Sequence, residues 1–456
     1  MNRDTVKQPK THSLTGQIIR YIIPLMLTGI LQLLYNAADN VVVGRFDGSN
    51  ALAAVGSTGA LVNLILNVFM GLSVGTAVAV AHDYGADDHE GVQKTVHTSI
   101  LISIFCGIVV GAFGCLCSGT FLRWMDTPED VLPLSTVYLA IYFLGTPASL
   151  IYNFGASILR SVGDTKRPLF FLTLSGIINV VLNCIFVIVF HMSVAGVALA
   201  TIISQYVSMV MIIICLVREK GCCHLDFRKL RIHKDKLQKI VRVGLPAGIQ
   251  GSVFSVSNVV IQSSVNSFGS VVMAGNTAAA QLEGFAYTAM NSVYHAALTF
   301  VGQNMGAKRY DMINKVVLRC FIVVLCIGIG VGVLMYTFAE PLLKIYLPND
   351  PEALPYGVTR MGYLIIPYFL CGAMEVMVGG QRGMGMSIIP MVTSLVGSCL
   401  LRIIWVMTVF AAFRSLPVLY LSYPISWFLT TAAHTVFYFR HLGKIRKAAR
   451  ERGDMV

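Results

Sequence analysis

Charge is scarce in this chain. Asp, Glu, Lys and Arg make up 12% of its 456 residues, about half the share a soluble domain carries. Acids are the rarer sign, 22 against 34 basic residues, while 55% of the chain is hydrophobic. That balance excludes a disordered chain and a small disulfide scaffold. Also missing is the phosphate-cradling G-x4-G-K-[ST] loop, so ATP is not expected as the direct energy source. There is no H-E-x-x-H, no C-x-x-C and no Cys/His spacing that suggests zinc. The eleven cysteines read as small hydrophobes within apolar blocks. Gly71-Leu72-Ser73-Val74-Gly75 matches G-x-S-x-G by letter. It lies inside an apolar span, without the strand–turn–helix context of a nucleophile elbow, and reads as small residues that let helices pack closely. With no catalytic spacing, the chain is expected to be neither an enzyme nor a cofactor binder.

What the chain does have is long apolar blocks. A helix needs about 20 mostly apolar residues to cross a bilayer. Twelve spans are predicted, at 17–43, 52–80, 96–118, 133–157, 169–190, 194–217, 240–267, 273–301, 317–338, 356–379, 388–411 and 416–438. None reads as a membrane β-strand, which runs about 10 residues with strict alternation. The first block follows the polar tail Met1–Gly16, is too long for a signal peptide and lacks a cleavage site, so it is expected to stay as the first helix. Basic residues set the orientation. With the N-terminus cytoplasmic, 28 of the 34 fall on cytoplasmic segments, five outside and one, Arg402, within a span. The linker 218–242 holds nine of them and the tail 440–452 six. The net charge of +12 is therefore read as topology signal and attraction to anionic lipid, not a nucleic-acid footprint. Loop 82–94, with Asp83, Asp87, Asp88 and Glu90, departs from the pattern.

The chain also repeats itself. At a shift of 222 residues, Pro24 meets Pro246, Asn36 meets Asn258 and Phe46 meets Phe268. Arg160, Gly163 and Pro168 meet Arg382, Gly385 and Pro390, so R-x2-G-x4-P occurs twice. With one gap, Gly85-Ala86 meets Gly306-Ala307. Prolines and glycines dictate backbone geometry, so matched ones imply matched helix breaks and turns. Six spans per repeat return the chain to its starting side, which makes a parallel repeat about a pseudo-two-fold along the membrane normal. The expected fold is an all-α polytopic membrane protein with twelve transmembrane helices in two six-helix lobes. Residues 1–217 form the first lobe, 218–239 a basic cytoplasmic linker, and 240–456 the second lobe and basic tail. Such a repeat points to alternating access.

Polar groups inside spans are functional candidates by default, because lipid cannot satisfy them. Gln32, Asn36, Asp39 and Asn40 are spaced along one helical face around a carboxylate. Asn179 and Asn183 offer amide oxygens one turn apart, and Thr201 adds a hydroxyl. With Asp39 these suit a proton, or a hard cation such as Na⁺ that prefers oxygen ligands. In the second half, Asn258 and Gln262 lie on a comparable stripe with Ser255 and Asn266. Glu283, His295 and Glu375 are the ionisable groups of neighbouring spans. Each could meet a cationic substrate, titrate, or be tied off by a local hydrogen bond. Arg402 could be a counter-ion or could snorkel to an interface.

Several of these features resemble the multidrug and toxic compound extrusion family over essentially the whole chain. The residues that carry the likeness are Ile23–Leu27, Asp39-Asn40-Val41-Val42-Val43-Gly44 and Ala53-Ala54-Val55-Gly56. They continue with Arg160-x-x-Gly163-Asp164-Thr165-Lys166-Arg167-Pro168 and Gly196–Thr201. The second half repeats the theme in Gly244-Leu245-Pro246, Gly302-Gln303-Asn304-x-Gly306-Ala307 and Gln381-Arg382-Gly383-x-Gly385. The resemblance implies an antiporter that expels amphiphilic organic cations in exchange for H⁺ or Na⁺. It further implies a monomer in the plasma membrane of a bacterium, with both termini cytoplasmic. The family's first-span acid falls on Asp39, and its cation cluster on Asp39, Asn179, Asn183 and Thr201. Asn183 stands where some members carry a second acid, which favours H⁺ over Na⁺. Cys371 stands where an Asp is expected, with Glu375 one turn away, and His82 replaces the Gln found at Gln303. A flippase for lipid-linked precursors, from the same superfamily, is the alternative. It would want a basic cavity, and Arg402 is the one basic residue placed deep in a span.

Overall fold

A computed structural model describes residues 13–46, 49–125, 127–348 and 350–452. The polar tail 1–12 lies outside the described residues. Among those residues the chain is helical, without strands. Twelve rods cross the molecule in turn. The first six are α1 (Leu14–Phe46), α2 (Ser49–Gly85), α3 (His89–Trp124), α4 (Leu132–Leu144 with Thr146–Ser161), α5 (Lys166–Val189) and α6 (Ser193–Arg218). The second six are α7 (Lys234–Asn266), α8 (Ser270–Gly306), α9 (Tyr310–Thr337), α10 (Pro351–Gly383), α11 (Ile388–Phe410) and α12 (Leu416–Glu451). α4 bends by 46° at Gly145, where Pro147 cannot donate back to the preceding turn. Tyr206 caps the Leu144 carbonyl there at 3.1 Å.

By length and composition, nine rods are apolar enough to span a membrane, and bent α4 makes a tenth. The other two, α8 and α12, are long but more polar. α8 buries small residues and Glu283 against protein, and α12 buries Ser422, Ser426, Thr430 and His434. A helix that faces protein needs no apolar coat.

The repeat is visible in the backbone. Gly163 and its mate Gly385 both take left-handed φ, at 95° and 85°. Asp87 and Lys308 match at 58° and 56° although neither is glycine. Pro24 and Pro246 both sit inside their helices. Short π-helical segments close α5 at Ile185–Val189 and α11 at Val406–Phe410.

The lobes touch chiefly where α2 meets α7 and α8 and where α1 meets α8, with α2–α7 and α1–α8 related by the repeat. A Cβ on Gly71 would lie 2.2 Å from the Gly248 nitrogen, and one on Gly75 2.1 Å from the Ile240 carbonyl oxygen. The G-x-S-x-G letters are thus a site of backbone contact within a helix, as expected. On the other pair, the Tyr21 and Thr299 hydroxyls hydrogen-bond at 2.9 Å.

At the end of the bundle that carries the 219–233 linker, two hydrogen bonds tie the lobes reciprocally. His82 Nε2 lies 2.7 Å from the Gly383 carbonyl oxygen. Gln303 Nε2 donates to the Ser161 carbonyl oxygen, also at 2.7 Å. The replacement of Gln by His in the first half therefore keeps the contact, since an imidazole N–H donates as an amide does. The acids of loop 82–94 also find roles. Asp83 is buried and accepts from Lys236 Nζ at 2.6 Å and Thr95 Oγ1 at 2.9 Å, Asp88 caps the first turn of α3, and Glu90 pairs with Lys94.

Removing one partner of a buried ion pair strands the other charge, at a cost of about 3–5 kcal/mol. Asp83→Ala should therefore lower the melting temperature of the purified protein markedly. Asp83→Ala with Lys236→Met should recover most of the loss. A single variant as stable as the parent would show that the pair contributes nothing.

Candidate functional site

Two spaces lie between the helices. In the first lobe, a cleft of about 150 Å³ is lined by Gln32, Asn36, Asp39, Asn179 and Thr201, with Gln205 at its side. Asn183 is fully buried and donates its amide N–H to the Asp39 carboxylate. Asn179 donates to the Thr201 hydroxyl at 3.4 Å, which in turn donates to the Val197 carbonyl. The amide oxygens of Asn179, Asn183 and Gln205 are buried and have no hydrogen-bond partner. One carboxylate thus stands beside several acceptor oxygens that protein leaves unused. Such orphans are costly unless water or an ion fills them.

Between the lobes, a larger cavity of about 710 Å³ is lined by Asn258, Gln262, Glu283, His295, Glu375 and Arg402 of the second half, with Asn67, Asn153 and Arg160 of the first. Asn153 lines both spaces. Arg360 holds Glu283 through two hydrogen bonds of 2.7 Å, with its third arm on Asn276. Asn276 donates to Gln262, which donates to Asn266. Glu283 and Gln262 are therefore parts of a satisfied network, not free ligands. Glu375 has no hydrogen bond or ion pair among the described residues, and its carboxylate faces the cavity.

The structure gathers the four members of the expected cation cluster, with Gln32 and Asn36, around Asp39. Asn40 lines neither space and is exposed. At 100° per residue it points about 100° away from Asp39, too far round α1 to share its face. Arg402 is not the only basic group deep in the molecule. Arg160, Arg360 and Arg382 line the same cavity. Sequence counting placed Arg160 and Arg382 in loops and Arg360 at an outer edge, because each lies within a few residues of a span boundary. The signal that could have found two of them was the doubled R-x2-G-x4-P. Each arginine enters the cavity, the carbonyl of the following residue accepts the interlobe bond, and the glycine turns the chain.

Comparison with known proteins agrees with this arrangement. A family model described as MatE matches residues 24–185 and again 246–408. The chain is 27% identical over 387 residues to the probable multidrug resistance protein YpnP of Bacillus subtilis, covering 85% of this chain and 86% of that protein. It is 27% identical over 382 residues to the probable multidrug resistance protein YoeA of the same organism, covering 82% of each. The fold superposes on a crystal structure of MATE in complex with MaL6 with a TM-score of 0.90 at 21% identity, covering 96% of this chain and 98% of that one.

The two carboxylates of the larger cavity should respond differently to neutralisation. Glu283→Gln leaves Arg360 without its counter-ion and should destabilise the protein by about 3–5 kcal/mol. Glu375→Gln removes no contact and should leave the melting temperature nearly unchanged. Thermal melting of both purified variants checks this, and equal losses would contradict the assignment.

Proposed function

The chain belongs to the MatE family, the multidrug and toxic compound extrusion transporters, and from that premise we propose that it is an ion-coupled efflux antiporter working by alternating access. The observation that carries this reading is Asp39, clasped by Asn183 in a polar cleft between helices. An ionisable group at membrane depth is expensive to keep and marks an ion pathway. In the proposed cycle an incoming ion and an outgoing organic cation compete for the Asp39 carboxylate. Occupation by one releases the other. Asn153 lines both the cleft and the larger cavity, and in the proposed cycle a substrate places its charged end by Asp39 and its apolar body in the larger cavity. Glu375 is a second carboxylate a cation can meet. Glu283 is withdrawn from that role by Arg360.

The proton is the proposed coupling ion. It needs only one carboxylate, and Asn183 already donates to the charged form. A second reading, Na⁺, is favoured by the unpartnered oxygens of Asn179, Asn183 and Gln205, since a hard cation wants several oxygen ligands. On the basis of the basic linker and tail, both ends of the chain are placed on the cytoplasmic side, in a bacterial plasma membrane. The chamber lies within one chain, so a monomer suffices. The linker end, closed by His82 and Gln303, is then the cytoplasmic gate.

Two measurements test this. Asp39→Asn should abolish efflux of a fluorescent organic cation driven by ΔpH while leaving expression and melting behaviour intact; efflux at the parent rate would refute the coupling role. In vesicles with ΔpH collapsed, an imposed Na⁺ gradient should drive little transport by the parent chain. Asn183→Asp should raise Na⁺ affinity more than proton-driven rate. Robust Na⁺-driven transport by the parent would decide for sodium.

A further inference from the structure

The larger cavity is not a second copy of the Asp39 cleft. At the shift of 222, Asp39, Asn179, Asn183 and Thr201 correspond to Ile261, Leu401, Trp405 and Tyr423. The carboxylate has become an aliphatic residue, and the hydroxyl an aromatic ring. Arg402, which follows Leu401, lines this cavity. Its guanidinium lies 4.2 Å from the Tyr423 ring centroid and 5.6 Å from that of Trp427. Nε donates to Ser426 Oγ at 2.8 Å, while Nη2 is buried without a partner. Arg402 is 3% exposed, and no described carboxylate forms an ion pair with it. π-helical turns flank it on both sides, at Leu395–Leu400 and Val406–Phe410, an irregularity common at functional sites.

The rest of the cavity has the same sign. Arg160 and Arg382 also line it, each with an unpartnered buried Nε, and neither forms an ion pair among the described residues. Arg382 is held by Tyr294 and Gln250 at 2.7 and 2.9 Å. Arg360 is neutralised by Glu283. With Glu375 ionised as well, four arginines stand against two carboxylates. An unpaired guanidinium in low dielectric is costly to keep and gains most from an anion that brings its own oxygen acceptors.

We propose that Arg402, boxed by Tyr423 and Trp427, recognises the acidic group of an aromatic amphiphile, so that this chain handles organic anions and zwitterions as well as cations. The aromatic walls stack the ring system and the guanidinium fork takes a carboxylate or phosphate. The proposal deepens the efflux reading and rests on it for direction of transport only. The cavity falls within the size range of small-molecule sites. Lipid-linked pyrophosphate is the other anion with this chemistry. It would want clustered cations, whereas Arg402 stands about 20 Å along the helix axis from the linker end of α11, the end at which Arg382 closes α10.

The test uses three probes that share one aromatic body: 1-pyrenebutyrate, 1-pyrenebutanol and a pyrenebutyl trimethylammonium. Saturable binding is measured to the full-length protein in phosphatidylcholine nanodiscs without any gradient, and empty nanodiscs supply the partitioning background. The parent should bind the carboxylate at least tenfold more tightly than the alcohol. Arg402→Gln should remove most of that preference, and Arg402→Lys should keep part of it. Binding is read without any gradient, so a chain that fails to couple transport to an ion still shows the carboxylate preference, and failed coupling and a failed anion site give different results. Equal affinity of the parent for carboxylate and alcohol would overturn the proposal without recourse to any variant. So would an Arg402→Gln protein, monodisperse and melting like the parent, whose preference is unchanged. Farnesyl pyrophosphate is the competitor that represents the lipid class. It should displace the carboxylate weakly, and displacement far below the carboxylate's own dissociation constant would assign the site to a lipid phosphate instead.

Discussion

Hydrocarbon offers no hydrogen bonds, and that constraint sorts every polar group in this bundle. Those without a direct protein partner can remain only where water or a ligand reaches them. Glu283, Asn276, Gln262 and Asn266 close on one another and on Arg360. Asp83 closes on Lys236 and Thr95. Among the described residues, the groups left unclosed include the amide oxygens around Asp39, the Glu375 carboxylate, and the arms of Arg160, Arg382 and Arg402. In the efflux reading proposed above, these groups form the working surface of the transporter. The satisfied networks are its frame.

The pseudo-two-fold gives the frame its economy. The contacts of α2 with α7 and α8, and of α1 with α8, hold the lobes, and glycines at the crossings bring backbones together. The same operation places His82 on Gly383 and Gln303 on Ser161, so the linker end is fastened by two equivalent hydrogen bonds. Two bonds of this kind are each worth about 1 kcal/mol net. That is enough to bias a two-state equilibrium and little enough for a ligand to reverse it. Symmetry ends at the sites. The first lobe sets an acid among amides, whereas the second sets a guanidinium against two aromatic rings.

Much of this was legible in the sequence because hydrophobic length and basic asymmetry are long-range signals. Twelve spans and the 222-residue shift needed no contacts to be seen. The Asp39 cluster was legible because α1, α5 and α6 each bring one or two polar residues to a span that is otherwise apolar. Asn40 was misplaced because spacing along a helix gives a face only to within a residue. Glu283 was ambiguous because its partner, Arg360, lies 77 residues away on α10, and only tertiary packing joins them. The basic cavity was missed because Arg160 and Arg382 sit at span ends, where a basic residue ordinarily faces water. His82 was doubtful by letter and clear by geometry, since its ring nitrogen reaches the carbonyl that a glutamine would reach.

The alternating access proposed above requires the two lobes to rock as bodies about the chamber between them. Spin labels at Asp87 and Arg309 report the linker end, and labels at Arg45 and Ser267 report the opposite end, all in a cysteine-depleted background. Distances are measured by pulsed electron resonance in nanodiscs, in acidic and in alkaline buffer, with and without substrate. The account predicts opposed changes, the linker-end pair lengthening as the far pair shortens. Two pairs that lengthen together, or that stay fixed while transport proceeds, would contradict it.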